Sequence, residues 1–446
     1  MTFLEVVASH RVSGMSRSPC VRRSRSGRAA VAGNVSRRDM ARTWRIALLA
    51  CLIAAMASAP ARADIITDWN VIAGDIVSAD RMATPPANRA MAIVQTATYD
   101  AVNAITRRYP AATALDAAPG ASVEAAVAAA NRAVLSELVP AQRAAIDAAY
   151  QLALAKLPEG APRADGIAVG ERAAAAVLAA RADDGAATRE AYRPQTTAGV
   201  YVPTALPAVP QWPQRRPWLM TSAAQFRPGP PPPLRSAAWA RDYNEIKTLG
   251  EKTSSVRSPE QTAIARFWEA TSPPIYHGVV RSVAARAGRE VTRNARLFAA
   301  VTQATDDAMI AVFAAKYHYG FWRPITAIRN GDLDDNDATE RAGSWTPLVE
   351  TPMHPEYPCA HCIVAAAIGT VLRAEIGAGP APTLATSSPA ANGAVRTWKT
   401  VDAFMAEVAN ARVYAGVHYR SSTKVGAAMG EQIGALAVAR YLSRAR

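Results

Sequence analysis

The chain has 446 residues, 50% of them hydrophobic and 19% charged, which is too apolar for a disordered protein and too long for one small domain. Its net charge of +14 is uneven: residues 1–63 hold 11 Arg and no Lys against Glu5 and Asp39, while the remaining 383 residues carry 39 basic and 34 acidic side chains. That near-balance, without a zinc-finger, RNP or G-x-G-x-x-G pattern, argues against a dedicated nucleic-acid binder.

The first feature in chain order is a leader. Ile46 to Ala59 is a 14-residue apolar run behind Arg42 and Arg45, followed by Pro60 and the small-x-small site Ala61-Arg62-Ala63. The run is short of the roughly 20 residues that a bilayer span needs. We expect residues 1–63 to be removed by a cut after Ala63 and the protein to be exported, periplasmic or secreted. Met40 opens a conventional signal peptide, which leaves residues 1–39 as an over-called start or as a weak twin-arginine signal through Ser36-Arg37-Arg38. Cys20 and Cys51 leave with the leader, and one remaining pair, Cys359 and Cys362, is too little to staple a domain of this size.

Residues 64–202 read as an N-terminal helical bundle. Met91, Val94, Thr98, Val102 and Ile105 recur at helical spacing within 89–105, and Ala-rich helices follow over 122–138, 141–157 and 164–182, broken by Pro140, Pro158 and Gly185. So many alanines allow close helix packing, and no strand-like alternation competes. A Pro-rich connector spans 203–235, extended and semi-rigid, either a linker or a strap. Residues 236–446 form a second helical domain. Ser258-Pro259-Glu260-Gln261 is a capping box that opens a helix through Trp268, and a longer helix runs from 289 to 316. An apolar helix covers 363–376, residues 377–394 read as an exposed loop, and two last helices cover 400–414 and 423–442. The fold class is all-α. No stretch of about 20 apolar residues suggests a membrane span after the leader.

After the leader there are five histidines, His277, His318, His354, His361 and His418, all in the second half. Chemistry concentrates around three segments there. Lys316 to Pro324 ends the long helix; it holds one of only six lysines in the chain, and Arg323. His354 to Cys362 runs into the apolar helix. Arg412 to His418 precedes the last one. Together they describe an anion site. Two arginines and a lysine supply donors for an oxyanion, and the turn at Cys359–His361 presents free N–H groups and a positive dipole end. Two histidines can serve as ligand or nucleophile, and as acid or base. Cys359-x2-Cys362 also reads as a dithiol, able to close into a disulfide that distorts or regulates the pocket, but without the βαβ pattern of a thioredoxin-like enzyme. Asp306 and Asp307, mid-helix, receive no role.

This ordered combination resembles the vanadium-dependent haloperoxidases and type 2 phosphatidic acid phosphatases, whose pattern is Lys-x6-Arg-Pro, Pro-Ser-Gly-His, then Ser-Arg-x5-His-x3-Asp. Here it stands as Lys316-x6-Arg323-Pro324, Pro358-Cys359-Ala360-His361 and Ala411-Arg412-x5-His418-x3-Ser422, within residues 240–446. The stretch Ala90 to Ala104 is similar to the N-terminal region of bacterial haloperoxidase-like members. The resemblance implies a helical fold with four-helix-bundle packing. Lys316, Arg323 and Arg412 would hold the equatorial oxygens of vanadate or of a phosphoryl group, with Cys359 and the Ala360 N–H as further contacts. His418 would bond vanadium, or attack phosphorus, and His361 would be the acid–base residue. Substrates would be hydrogen peroxide and a halide, or a phosphate ester. His354, by resemblance to the bromoperoxidases, hints at bromide or iodide rather than chloride.

Four positions depart from the pattern. Cys359 replaces a Ser hydroxyl with a weak S–H donor, and Ala360 adds a methyl where a Gly allows an unusual backbone angle. Ala411 replaces a Ser. Ser422 replaces the Asp expected to orient His418 and raise its basicity. Three functions therefore stand side by side: a vanadate-dependent haloperoxidase, an exported acid or lipid-phosphate phosphatase working through a phosphohistidine, and a non-catalytic oxyanion binder. A homo-oligomer is left open.

Overall fold

Two helix pairs, each with a glycine stripe at its contact, set the architecture seen in the computed structural model, which describes residues 64–110 and 115–443. The leader, its cleavage after Ala63, and Cys20 and Cys51 lie outside the described residues. The described helices are α1 (Ile65–Ala79), α2 (Thr84–Thr106), α3 (Val123–Leu138), α4 (Arg143–Leu154), α5 (Ala161–Arg181), α6 (Ala237–Leu249), α7 (Pro259–Phe267), α8 (Pro273–Ala284), α9 (Val291–Tyr319), α10 (Pro324–Arg329), α11 (Ala360–Ile376), α12 (Val401–Tyr414) and α13 (Arg420–Ala437).

On α5, Gly166 and Gly170 face the main chain of α3; on α13, Gly426, Gly430 and Gly434 face that of α11. A Cβ at Gly430 would stand 2.2 Å from the Ile363 carbonyl, so only hydrogen fits and the two backbones touch. This close seam fixes α13 against the N-terminal end of α11.

Between the two pairs lies α9. Glu290 caps it by accepting from the N–H groups of Thr292 and Arg293, and Gly320 ends it in the left-handed conformation at φ 58°. Nearly every residue from Leu297 to Lys316 is buried. One hydrophobic cluster draws Tyr99 and Val102 of α2, Phe298 and Ile310 of α9, Ile363 of α11, Phe404 of α12 and Ile433 of α13 into a continuous core. Among the described residues α9 is the one helix long and apolar enough to cross a membrane, and its apolar window is fully buried in that core.

The Pro-rich connector is a strap. Buried Arg215 donates to Asp184 (2.6 Å) and to Asp306 (2.6 Å), while Asp307 accepts from the N–H groups of Trp218, Leu219 and Met220 at 2.7–2.9 Å. The hydroxyls of Tyr317 and Tyr357 donate to the carbonyls of Ala208 and Gly229. Asp306 and Asp307, left without a role by the sequence reading, thus fasten the connector to α9.

The structure corrects the expected secondary structure after the apolar helix. Residues 384–398 are a β-hairpin, β1 (Leu384–Ser388) antiparallel to β2 (Ala394–Trp398), where a loop was expected and no strand was seen. Asn392 and Gly393 both take positive φ (53° and 78°), the turn chemistry that an Asn-Gly dipeptide encodes. The hairpin is short and packs on α8 through Ser282 and Ala385. A helical fold with this single small hairpin remains all-α in class.

Gly430→Ala should lower stability by about 1–3 kcal/mol in urea unfolding, because the α11–α13 seam must open. Ala428→Gln on the exposed face of the same helix should stay within about 0.5 kcal/mol. Equal losses for both would contradict the close seam.

Candidate oxyanion site

The seam and α9 bring three distant segments together. Lys316 lies in the last turn of α9, and Arg323 is the N-cap of α10 with Pro324 at its first position. Cys359, Ala360 and His361 open α11. Arg412 lies in the last turn of α12, and His418 sits in the short loop before α13.

The cations are buried and, among the described residues, have no counter-ions of their own. Lys316, Arg323 and Arg412 are 0%, 1% and 2% exposed. Lys316 Nζ donates to the carbonyls of Pro355 (3.0 Å) and Glu356 (2.8 Å). Arg323 donates through Nε to the His354 carbonyl and through Nη1 to the Val417 carbonyl, both at 2.8 Å, and its Nη2 lies 2.9 Å from His354 Nδ1. Arg412 Nη1 donates to the Trp268 carbonyl at 2.7 Å, and its Nε has no partner among the described residues. Neutral carbonyls orient these groups but do not neutralise them. Glu356, 0% exposed, is the carboxylate buried among them; Glu269, partly exposed and paired to Arg266, reaches Arg412 from farther away. Burial therefore pushes Lys316 well below its ordinary range and brings Arg323 and Arg412 down to about 10.

Glu356 performs the service expected of an Asp at position 422. His418 Nδ1 lies 2.7 Å from Glu356 Oε1, which also accepts the Tyr419 N–H at 3.1 Å. Burial, then the fields of Arg323 and Lys316, hold His418 well below its usual pKa, and burial raises Glu356 to about 7 against the pull of Lys316, Arg323 and Ser422. A neutral His418 donates from Nδ1 to the carboxylate, which leaves the Nε2 lone pair facing Arg323 Nη1 at 3.4 Å. Ser422 lies beside Glu356, but its Oγ makes no hydrogen bond among the described residues. The sequence signal for Glu356 was its place between His354 and Cys359 in one motif, but nothing in the spacing pointed it at His418.

Two expected departures resolve differently. Cys359 is joined to Cys362 in a disulfide, and its sulfur accepts the Cys362 N–H at 3.2 Å. It therefore has no S–H to offer an oxyanion, which corrects the weak-donor reading of Cys359. Ala360 needs no unusual angle: it sits at the first helical position of α11, outside the set of positive-φ residues. The N–H groups of Ala360 and His361 have no acceptor within the helix.

A cavity of about 210 Å³ ends on His354, His361, Ala360 and His418. His361 Nε2 and the Tyr276 hydroxyl are buried without partners among the described residues, and the two rings meet at 6.5 Å. The remaining histidines lie elsewhere. His318 is exposed, and buried His277 is held by Asn70 at 3.0 Å. Among the described residues no group of three His, Cys, Asp or Glu side chains could cradle a cation, whereas the cationic cluster suits an anion.

Comparison with known proteins finds relatives of this chain and of its fold. Residues 296–446 match the family described as the VCPO second helical-bundle domain. The vanadium chloroperoxidase of Curvularia inaequalis is 29% identical over 168 residues, 33% of this chain, and the match spans a quarter (25%) of that protein's length. The crystal structure of the first bacterial vanadium-dependent iodoperoxidase superposes with a TM-score of 0.71 at 25% identity, covering 84% of this chain and 96% of that one. A bacterial vanadium-dependent chloroperoxidase in its holo form shares the fold, with a TM-score of 0.65 at 18% identity over 81% of this chain and 94% of that one. The chain is thus related to the vanadium-dependent haloperoxidases, through the family's second helical bundle and through a fold shared along most of its length.

Proposed function

We propose that the protein is an exported, vanadate-dependent haloperoxidase that oxidises bromide or iodide with hydrogen peroxide. The observation that carries this is the buried positive excess of Lys316, Arg323 and Arg412 around a neutral His418 whose Nε2 lone pair is free of its carboxylate partner. Vanadate fits the residues present: Arg412 Nε and His361 Nε2 lack partners, and an oxyanion would complete both. Lys316, Arg323, Arg412 and the N–H groups opening α11 would hold its oxygens, and His418 Nε2 would ligate it. Bound there, vanadate supplies the electrophilic activation of peroxide toward halide.

The protein's own residues do the rest. Glu356 keeps the His418 tautomer fixed, and the carbonyl tethers on Lys316 and Arg323 keep the donors in place before any ligand arrives. His361 is held neutral by burial and by Arg412, so its free Nε2 can take a proton from peroxide and return it to the departing oxygen. His354, bonded to Arg323 and in ring contact with Phe313 at 5.1 Å, lines the approach to the site, and the preference for the larger halides rests on its resemblance to the histidine of bromoperoxidases. The joined Cys359–Cys362 pair suits an oxidising compartment outside the cytoplasm. A phosphatase acting through His418 is the second reading, and Glu356 favours it by restoring the carboxylate that a nucleophilic histidine needs.

Purified protein stripped of phosphate and titrated with orthovanadate should show saturable, peroxide-dependent bromination of a phenolic dye. His418→Ala should abolish it, and Glu356→Gln should reduce it about 10–100-fold while leaving the fold intact. Vanadate-inhibited release of phosphate from an aryl phosphate, with no halide oxidation, would select the phosphatase instead.

The protonation states also predict stability. Burial holds His277, His354, His361 and His418 below the ordinary histidine value of 6.5. As pH falls below 6.5 the unfolded chain takes up these protons and the folded protein does not, so acidification favours unfolding. Glu356 at about 7 and Asp307 at about 6 work the other way, because the folded state gains their protons first. Asp68 and Asp242, also raised by burial, act in the same sense as Glu356 and Asp307, but the four histidines count across the whole window, so the melting temperature of the anion-free protein should drop between about pH 6.5 and 5. A flat or rising profile on acidification would contradict the assignment.

A further inference from the structure

The cavity above the histidines is built for something the halide reaction does not require. Its floor is polar, with His354, His361 and His418; Thr84, Asn88, Thr271 and the Tyr276 hydroxyl add polar groups elsewhere on the lining, and the rest is apolar. Its walls are Pro85 of α2, Tyr276 of α8, Met309 and Phe313 of α9, Met353 of the preceding loop and Val364 of α11. The rim is exposed at Ala83 and Thr271, and the walls at Met309, Phe313 and Val364 are buried, so it runs inward from the surface. Hydrated halide and peroxide gain nothing from apolar walls, and burial beside them costs such polar reactants their water. An apolar ligand gains from the same walls.

The wall chemistry gives a second, independent reason. Met309 and Met353 carry thioethers that hypohalous acid converts to sulfoxides. An enzyme that releases its oxidant through this passage attacks its own walls; an acceptor seated over the histidines captures the halogen first.

Resting on the haloperoxidase reading, we propose that this cavity binds a neutral aromatic acceptor of one or two rings, which is halogenated in place. The size fits: an apolar cavity of about 150 Å³ takes up benzene, and this one measures about 210 Å³. The chemistry balances. Halide, peroxide and a proton give hypohalous acid and water; the ring carbon then bonds the halogen, its hydrogen leaves as a proton, and hydroxide departs to complete a second water.

The test is a fluorescence titration of the full-length, vanadate-free protein with 2-naphthol. One saturable site is expected, weakened at least about fivefold in Met353→Trp and in Ala83→Trp, which add bulk at the mouth without touching the cations. No saturable binding up to the probe's solubility, or equal affinity in wild type and both variants with their melting temperatures unchanged, would overturn the proposal. A second arm runs the bromide reaction with and without 2-naphthol and reads sulfoxide at Met309 and Met353 by peptide mass spectrometry. Protection by the probe, lost in Met353→Trp at Met309, is expected; equal oxidation with and without probe overturns halogenation in place. Halide oxidation without probe binding would sink this inference alone, whereas probe binding without halide oxidation would sink the haloperoxidase reading and leave the cavity as an apolar ligand site.

Discussion

Three cations buried against one carboxylate form the constraint on which the rest of the structure depends. Taking an ion out of water costs several kcal/mol even after relaxation, and the carbonyls that hold Lys316, Arg323 and Arg412 repay only part of it. An oxyanion set among them would meet donors already aimed and already desolvated, so little reorganisation remains for binding or for charge that develops during reaction. Glu356 sets the balance of this cluster. Its charge is spent on His418, which gives a cation-repelled imidazole a defined tautomer.

The scaffold is arranged around that cluster. Helix α9 delivers Lys316 from a fully buried position, and Gly320 breaks the helix so that Arg323 returns to the same point. The glycine seam between α11 and α13 seats the start of α11 beside Ser422, with the Cys359 N–H donating to the Ser422 carbonyl at 3.2 Å. The connector closes the other side, since Ala208 bonds Met353 through its backbone and both line the cavity. Anchoring the strap through Asp184, Asp306 and Asp307 therefore also positions the wall of the approach.

Much of this was legible in the sequence, and the exceptions share a cause. Lys316, Arg323, Arg412 and His418 announce themselves because each sits at a helix end, where local spacing carries geometry. The capping box at Ser258 is formed as its four residues dictate. Glu356 was hidden because its partner lies 62 residues away, and only the folded approach of the loop to α13 joins them. Asp306 and Asp307 were equally mute, as their partners lie in the connector nearly 90 residues before them. The hairpin at 384–398 was missed for a different reason: Asn392-Gly393 was visible, but the flanking strands are five residues each and scarcely alternate. In the Cys-x2-Cys motif the spacing showed that a bond was open to the pair, and the fold shows that it is made.

The most direct test of the account is calorimetric titration of orthovanadate into phosphate-stripped protein, with melting temperatures taken at each end of the titration, for wild type and for Arg412→Met. One equivalent should bind to wild type, compete with phosphate and raise its melting temperature. Arg412→Met should bind about 10–100-fold more weakly, yet melt no lower than wild type without the anion, because an uncompensated buried charge has been removed. Equal binding by both proteins, or no binding by wild type, would contradict the claim that these buried cations exist to hold an oxyanion.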